Sequence, residues 1–213
     1  MDRLGIRAQS RGLLGGLVVG ALVAVSLFPS PSMAFSFASL FPEPEDYIYT
    51  GNATLAMGVR RLDSADWAPV ENHWLYGVEI DTSKNEWLVG WVARFLWSSD
   101  EGSTDEGGDA DAELFEAAVG VRKVWYDLSK FVSPFAGLGG SFLSVDLSAN
   151  GKSDDDRALG GWGDAGVYLY PLPNLSLGGF VRYEYVPVRL FGADVNAGGW
   201  TFGVTLGVRW YDL

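Results

Sequence analysis

Nine charged residues share the face of alternating runs that carries glycine, serine and threonine: Arg60, Glu79, Arg94, Glu116, Arg122, Asp164, Arg182, Glu184 and Arg209. Five are arginines and four are carboxylates, with no lysine in the set, and a planar guanidinium can engage two carboxylates at once. This composition predicts charges buried together as a salt-bridged plug. The alternative chemistry is a charged lining for a narrow ion path. Glu184, two residues from Arg182, and Asp164 have the makings of an acid/base pair, but no nucleophile stands beside them. The single histidine, His73, follows Glu71 and Asn72. With one histidine and no cysteine, neither a metal site nor a Ser-His-acid triad has enough partners. His73 is therefore expected to be an ordinary rim histidine, and no catalytic, metal-binding or cofactor-binding residue is expected.

Two further groups of oxygens invite a reading. The stretch 98–112 holds Asp100, Glu101, Asp105, Glu106, Asp109 and Asp111, and 147–161 adds Asp154, Asp155 and Asp156. Lacking apolar anchors, both are expected to be mobile, solvated, acidic loops. Clustered carboxylates can recruit Ca²⁺ or Mg²⁺, but their spacing matches no twelve-residue calcium loop, so no ligand set follows. Glycine is abundant at 28 residues, but it follows the strand period and forms no phosphate-cradling motif. A net charge of −12 without basic clusters argues against nucleic acid as a partner.

The elements that must position these residues are strands. Eight runs of alternating polarity stand at 49–61, 73–81, 86–97, 113–125, 134–146, 162–170, 175–186 and 199–211, and none has helical periodicity. Ahead of them, Arg3, Arg7 and Arg11 precede an apolar run that ends in Pro29 and Pro31, with small residues before a cut after Ala34. Residues 1–34 read as a cleaved signal peptide, 35–46 as a short periplasmic segment and 47–213 as one domain. Without cysteine, no disulfide or lipid-modified cysteine is available to staple or anchor the chain.

The last run has Trp200, Phe202, Val204, Leu206, Val208 and Trp210 on one face, and Gly199, Thr201, Gly203, Thr205, Gly207 and Arg209 on the other. A soluble sandwich, or a lipocalin-like carrier, would place the apolar face inside and favour large solvated side chains outside. Repeated glycine instead suits the crowded interior of a narrow barrel. Trp87 and Trp97, Phe115 and Trp125, and Trp200 and Trp210 are each ten residues apart. In tilted strands that spacing projects to roughly 25 Å, the height of a membrane barrel's apolar band between its aromatic girdles. Tight connections at 82–85 and 171–174 alternate with longer ones at 98–112, 147–161 and 187–198. An even strand number puts both termini and the short turns in the periplasm, with the long loops outside. A bulge near Gly139-Gly140 is expected in the fifth strand.

The stretch 133–141, SPFAGLGGS, the run 177–185, LGGFVRYEY, and the alternating last strand resemble the OmpA/OmpX-like family of small outer-membrane barrels. The last strand departs from that family's usual terminal aromatic, ending Trp210-Tyr211-Asp212-Leu213. The family's additional peptidoglycan-binding domain is not expected here. The resemblance implies an all-β, eight-stranded antiparallel up-and-down transmembrane β-barrel in the outer membrane, monomeric and inserted by the barrel assembly machinery. Its expected partners are outer-membrane lipid and lipopolysaccharide, with divalent cations bridging at the acidic loops. The expected role is structural or surface-interactive, the alternatives being a narrow pore for small solutes or a lipid-modifying enzyme. Outer-membrane lipid A deacylases carry a His-x-Ser signature, whereas His73 is followed by Trp74 and Leu75.

Overall fold

Strict alternation of apolar and small or polar residues leaves each segment one way to satisfy both faces: an extended strand between lipid and a filled interior. The structure, a computed structural model, describes residues 49–84, 86–104 and 108–212. Residues 1–34 and 35–46, and Asp105 and Glu106 of the acidic stretch, lie outside the described residues. The chain runs β1 (Tyr49–Arg61), α1 (Ser64–Trp67), β2 (Asn72–Lys84), β3 (Gly90–Ser103), β4 (Asp109–Val124), β5 (Val132–Ala149), β6 (Lys152–Leu172), β7 (Leu175–Tyr185), β8 (Pro187–Leu190), β9 (Ala193–Asn196) and β10 (Gly199–Asp212). Strands β1 to β7 and β10 close into an antiparallel barrel in the order β1-β10-β7-β6-β5-β4-β3-β2. Strands β8 and β9 pair only with each other. Tyr49 lies opposite Asp212, so both ends of the described barrel are at one rim, with the short turns after β2, β4 and β6.

The apolar residues face outward, as lipid requires and a soluble sandwich forbids. Trp74, Phe95, Leu138, Leu159, Phe202 and Val204 are all exposed. The inward face is packed by setting large side chains over small ones. A Cβ on Gly120 would stand 2.6 Å from the Trp162 ring, and one on Gly139 would stand 2.8 Å from it. These glycines make room for an indole inside the lumen.

Four local expectations are corrected. Stretches 98–112 and 147–161 are not mobile loops: the β3–β4 ladder continues to Ser103 opposite Asp109, and the β5–β6 ladder to Ala149 opposite Lys152. Glu101, Asp109, Asp111 and Asp155 face outward while Ala110, Ala112, Leu147 and Ala158 face inward, so overall composition hid strands with a partly apolar inner face. The β5–β6 reversal is Asn150-Gly151, with positive φ at both residues (52° and 73°), a dipeptide and backbone suited to a two-residue hairpin. Stretch 187–198 is likewise a hairpin, β8–β9, which turns at Phe191 and Gly192. Strand β3 starts at Gly90, because its register pairs Trp91 with Thr82; Trp87 therefore lies in the preceding turn, its ring edge-on to Tyr49. Finally, β5 keeps continuous register through Gly139-Gly140, and the irregularity falls instead between β6 and β7, at Leu169/Leu172.

Candidate functional site

Inward parity brings the charged side chains to the barrel axis, where the lumen is too narrow for them to stay hydrated. Arg60, Arg94, Glu116, Arg122, Asp164, Arg182, Glu184 and Arg209 are buried, and the Glu79 side chain is nearly so. They gather into two clusters. Toward the long-loop end, Arg60 of β1 pairs with Glu116 of β4 and Glu184 of β7. Arg182 returns to the same two acids, at 2.6 Å from Glu116 and 3.4 Å from Glu184, and Ser141 donates its hydroxyl hydrogen to Glu184. Toward the short-turn end, Arg94 contacts Asp164 at 2.6 Å and Glu79 at 2.8 Å. Arg122 reaches the same two carboxylates.

The sequence reading missed Asp81, which belongs to the second cluster. It lies 3.3 Å from Arg122, while Tyr168 and Asn52 donate hydrogen bonds to its two oxygens. Strand parity alone could have found it, since Asp81 follows Glu79 on the inward face of β2. With Asp81 included, the two clusters hold four arginines against five carboxylates among the described residues. Trp162 joins the clusters: the Arg94 guanidinium lies 4.4 Å and the Arg182 guanidinium 5.0 Å from its ring centre. Arg209 sits apart at the short-turn rim, 4.1 Å from the Tyr170 ring and 5.2 Å from Tyr126. The arrangement can hold charge at fixed positions and exclude bulk water.

Above this layer the same strand faces turn apolar. On β4 the inward series reads Ala110, Ala112, Leu114 and only then Glu116. Leu143 and Val145 of β5 complete one wall. Two connections roof it: Leu62, Trp67 and Val70 between β1 and β2, and Val186, Val188, Leu190 and Ala197 around the β8–β9 hairpin. The Trp67 indole N–H donates to the Asn196 carbonyl at 2.7 Å, tying the two halves of the roof together.

The hairpin is held to the wall by acids expected to be solvated. Asp154 accepts the Phe191 amide, and Asp156 accepts the Arg189 amide at 2.6 Å. Asp156 lies beyond Leu159, outside the apolar band, and accepting the Arg189 and Arg157 amides holds its carboxyl below the usual carboxylate range. His73 is also displaced from its expected rim position. It is fully buried beneath the roof, with Nε2 2.9 Å from the Val70 carbonyl and the Trp67 ring edge-on at 6.4 Å.

Outside the barrel, Trp97, Trp125, Trp200 and Trp210 are exposed, as is Trp87 in its turn, and Phe115 is half-buried beside Trp97 at 5.3 Å. Beyond the row Tyr76, Trp97 and Phe115, carboxylates face carboxylates: Glu101 lies opposite Asp111, and Glu113 opposite Asp146, which is opposite Asp155. Among the described residues, no three histidine or acidic side chains converge to hold a metal ion.

A closed barrel with an apolar exterior and a charge-filled interior defines a β-barrel membrane protein, and the sequence agrees. Residues 20–207 match the outer membrane protein beta-barrel domain family, and the chain belongs to it, which places it in the outer membrane. Among solved structures it is similar to Neisserial surface protein A (15% identity, 76% of this chain and 95% of that one, TM-score 0.49). It is also similar to Ail, the attachment invasion locus protein of Yersinia pestis, in complex with sucrose octasulfate (19% identity, 76% and 99% covered, TM-score 0.48). A third similar structure is the N-terminal barrel of Pseudomonas aeruginosa OprF (12% identity, 75% and 97% covered, TM-score 0.42). No curated protein matches the chain.

Proposed function

We infer that this protein is a closed barrel whose role is structural or surface-interactive, exerted through its outer end rather than through its lumen. The observation that carries this reading is the double closure of the barrel. A layer of ion pairs fills the middle, and an apolar layer, roofed from two sides, seals the outer mouth. Removing a guanidinium from the middle would leave buried carboxylates short of positive charge, so the arginines are read as structural. What the protein offers to its surroundings is the outward side of the β3–β6 extension, with its opposed carboxylates. Such a surface suits cationic partners, or lipopolysaccharide reached through diffusely held divalent cations.

In this reading the chain is exported by cleavage after Ala34, leaves 35–46 in the periplasm, and is inserted as a monomer by the barrel assembly machinery. The test is conductance in planar bilayers. Wild-type protein is expected to give no discrete steps. Steps abolished by Arg94→Ala or Arg182→Ala would establish the pore reading instead. The surface role is tested in proteoliposomes by adhesion to polylysine-coated beads, expected to fall when Glu113, Asp146 and Asp155 are replaced by their amides. Lipid turnover that is lost in His73→Ala would reinstate an enzyme.

A further inference from the structure

His73 sits at the joint between the two closures. Its register partner on β1 is Arg60, the cation that anchors the outer charged cluster. Above it lie Trp67 and Val70 of the roof. A carbonyl can only accept, so His73 Nε2 carries the hydrogen donated to Val70, and the lone pair of the neutral ring is on Nδ1. Nδ1 is buried with no hydrogen-bond partner among the described residues.

The nearby charges offer little to a protonated ring. Glu116 and Glu184 are engaged by Arg60 and Arg182, and Asp100 of β3 accepts the Asn72 and Glu101 amides. Ser98, also of β3, offers the ring a backbone hydrogen bond but no charge. A second proton would therefore place a cation opposite Arg60, with no free carboxylate among the described residues to compensate it, inside a dry layer.

We propose that His73 is an acid-sensitive latch: the outer roof formed by 62–71 stays docked only while the ring is neutral, and acidification releases it. The site lies at the outer end of β2, above the aromatic row, so the pH that matters is that of the cell exterior. Release frees the Val70 carbonyl, uncovers Trp67 and opens the apolar layer beneath, while the mid-lumen charge clusters stay paired. The barrel would thus expose an apolar outer surface in acid and conceal it at neutral pH.

The test is hydrogen exchange by NMR on the full-length protein in micelles between pH 7.5 and 5, with rates corrected for intrinsic pH dependence. The reporters are the Trp67 and Val70 amides, which donate to the Asp63 and Trp67 carbonyls. Their protection is expected to fall about tenfold per pH unit below about 6.5, because the undocked form takes up the proton. In His73→Gln, which keeps a neutral donor, protection should be flat. A flat wild-type profile, or an equal slope in the variant, overturns the proposal. Should the variant not fold, ¹⁵N imidazole spectra of wild-type protein decide. A ring that titrates near 6.5 with undiminished amide protection overturns the latch, and a ring that takes up its proton only as protection is lost supports it.

Discussion

The middle and the outer end of this lumen are built from the same strands and the same parity, yet they are filled by opposite chemistries. In the middle, Glu116 and Arg122 of β4 face arginines and acids from across the axis. One and two turns of the pleat further out, Leu114 and Ala112 of the same face meet Leu143 and Val145. The difference lies in what closes each layer. The middle is closed by the barrel wall itself, which holds guanidinium and carboxylate at contact distance and satisfies them mutually. The outer layer has no complete wall, because β1, β2, β7 and β10 stop short of the β3–β6 extension. It is closed by connecting segments, and an apolar face binds such segments without demanding exact partners.

This contrast predicts how each layer breaks. The largest effect should come from Arg122→Ala, which removes the Asp81 cation and leaves Glu79 and Asp164 to share Arg94 in the middle. A loss of about 3–5 kcal/mol is expected, read as whole-barrel unfolding in urea and loss of heat-modifiable gel migration. Leu143→Ala in the outer layer should cost about 2–5 kcal/mol of local stability. Its signature should be faster proteolysis of the β8–β9 hairpin, with gel migration unchanged; equal loss of migration would mean that the layers are one cooperative unit. Trp67→Phe keeps the ring but removes the hydrogen bond to Asn196, for about 1 kcal/mol, read as faster exchange of the Trp67 and Val70 amides.

The smallest effect is Asp156→Ala, which should loosen only the hairpin, seen as increased motion of a spin label at Phe191. The two halves of the roof should also separate by pH. A carboxyl held below its ordinary value lends its full support above about pH 3.9 and loses it only as pH falls through the depressed value. The Asp156 hold is therefore intact at pH 5, where the His73 latch is already weakened. Simultaneous release of both segments between pH 7 and 5 would contradict that order.

Much of the barrel was legible because a strand's alternation is a local property. Each of the eight runs contains or overlaps a barrel strand, and Arg60, Glu116 and Arg182 face inward because their neighbours at odd spacing are lipid-facing. The outer third was not legible by the same means. In 98–112 and 147–161 the number of acids outweighed the small apolar residues of the inward face, and Asn150-Gly151 was the overlooked sign that the strands continue through them. The segment 62–72 carried no strand pattern, so nothing marked Trp67 as buried or as a cover over His73.

The sequence by itself determined the number, facing and composition of the barrel strands, since a two-residue period needs no knowledge of distant neighbours. Only the tertiary structure decided that Arg60 on β1 meets Glu116 on β4, that Arg94 on β3 meets Asp164 on β6, and that Asp81 joins them. Those pairs depend on the stagger at which the sheet closes, which brings together residues from strands that are never hydrogen-bonded neighbours. Tertiary structure also decided that two connections fold inward over the mouth. Their apolar residues find a shared surface only after the barrel has formed one.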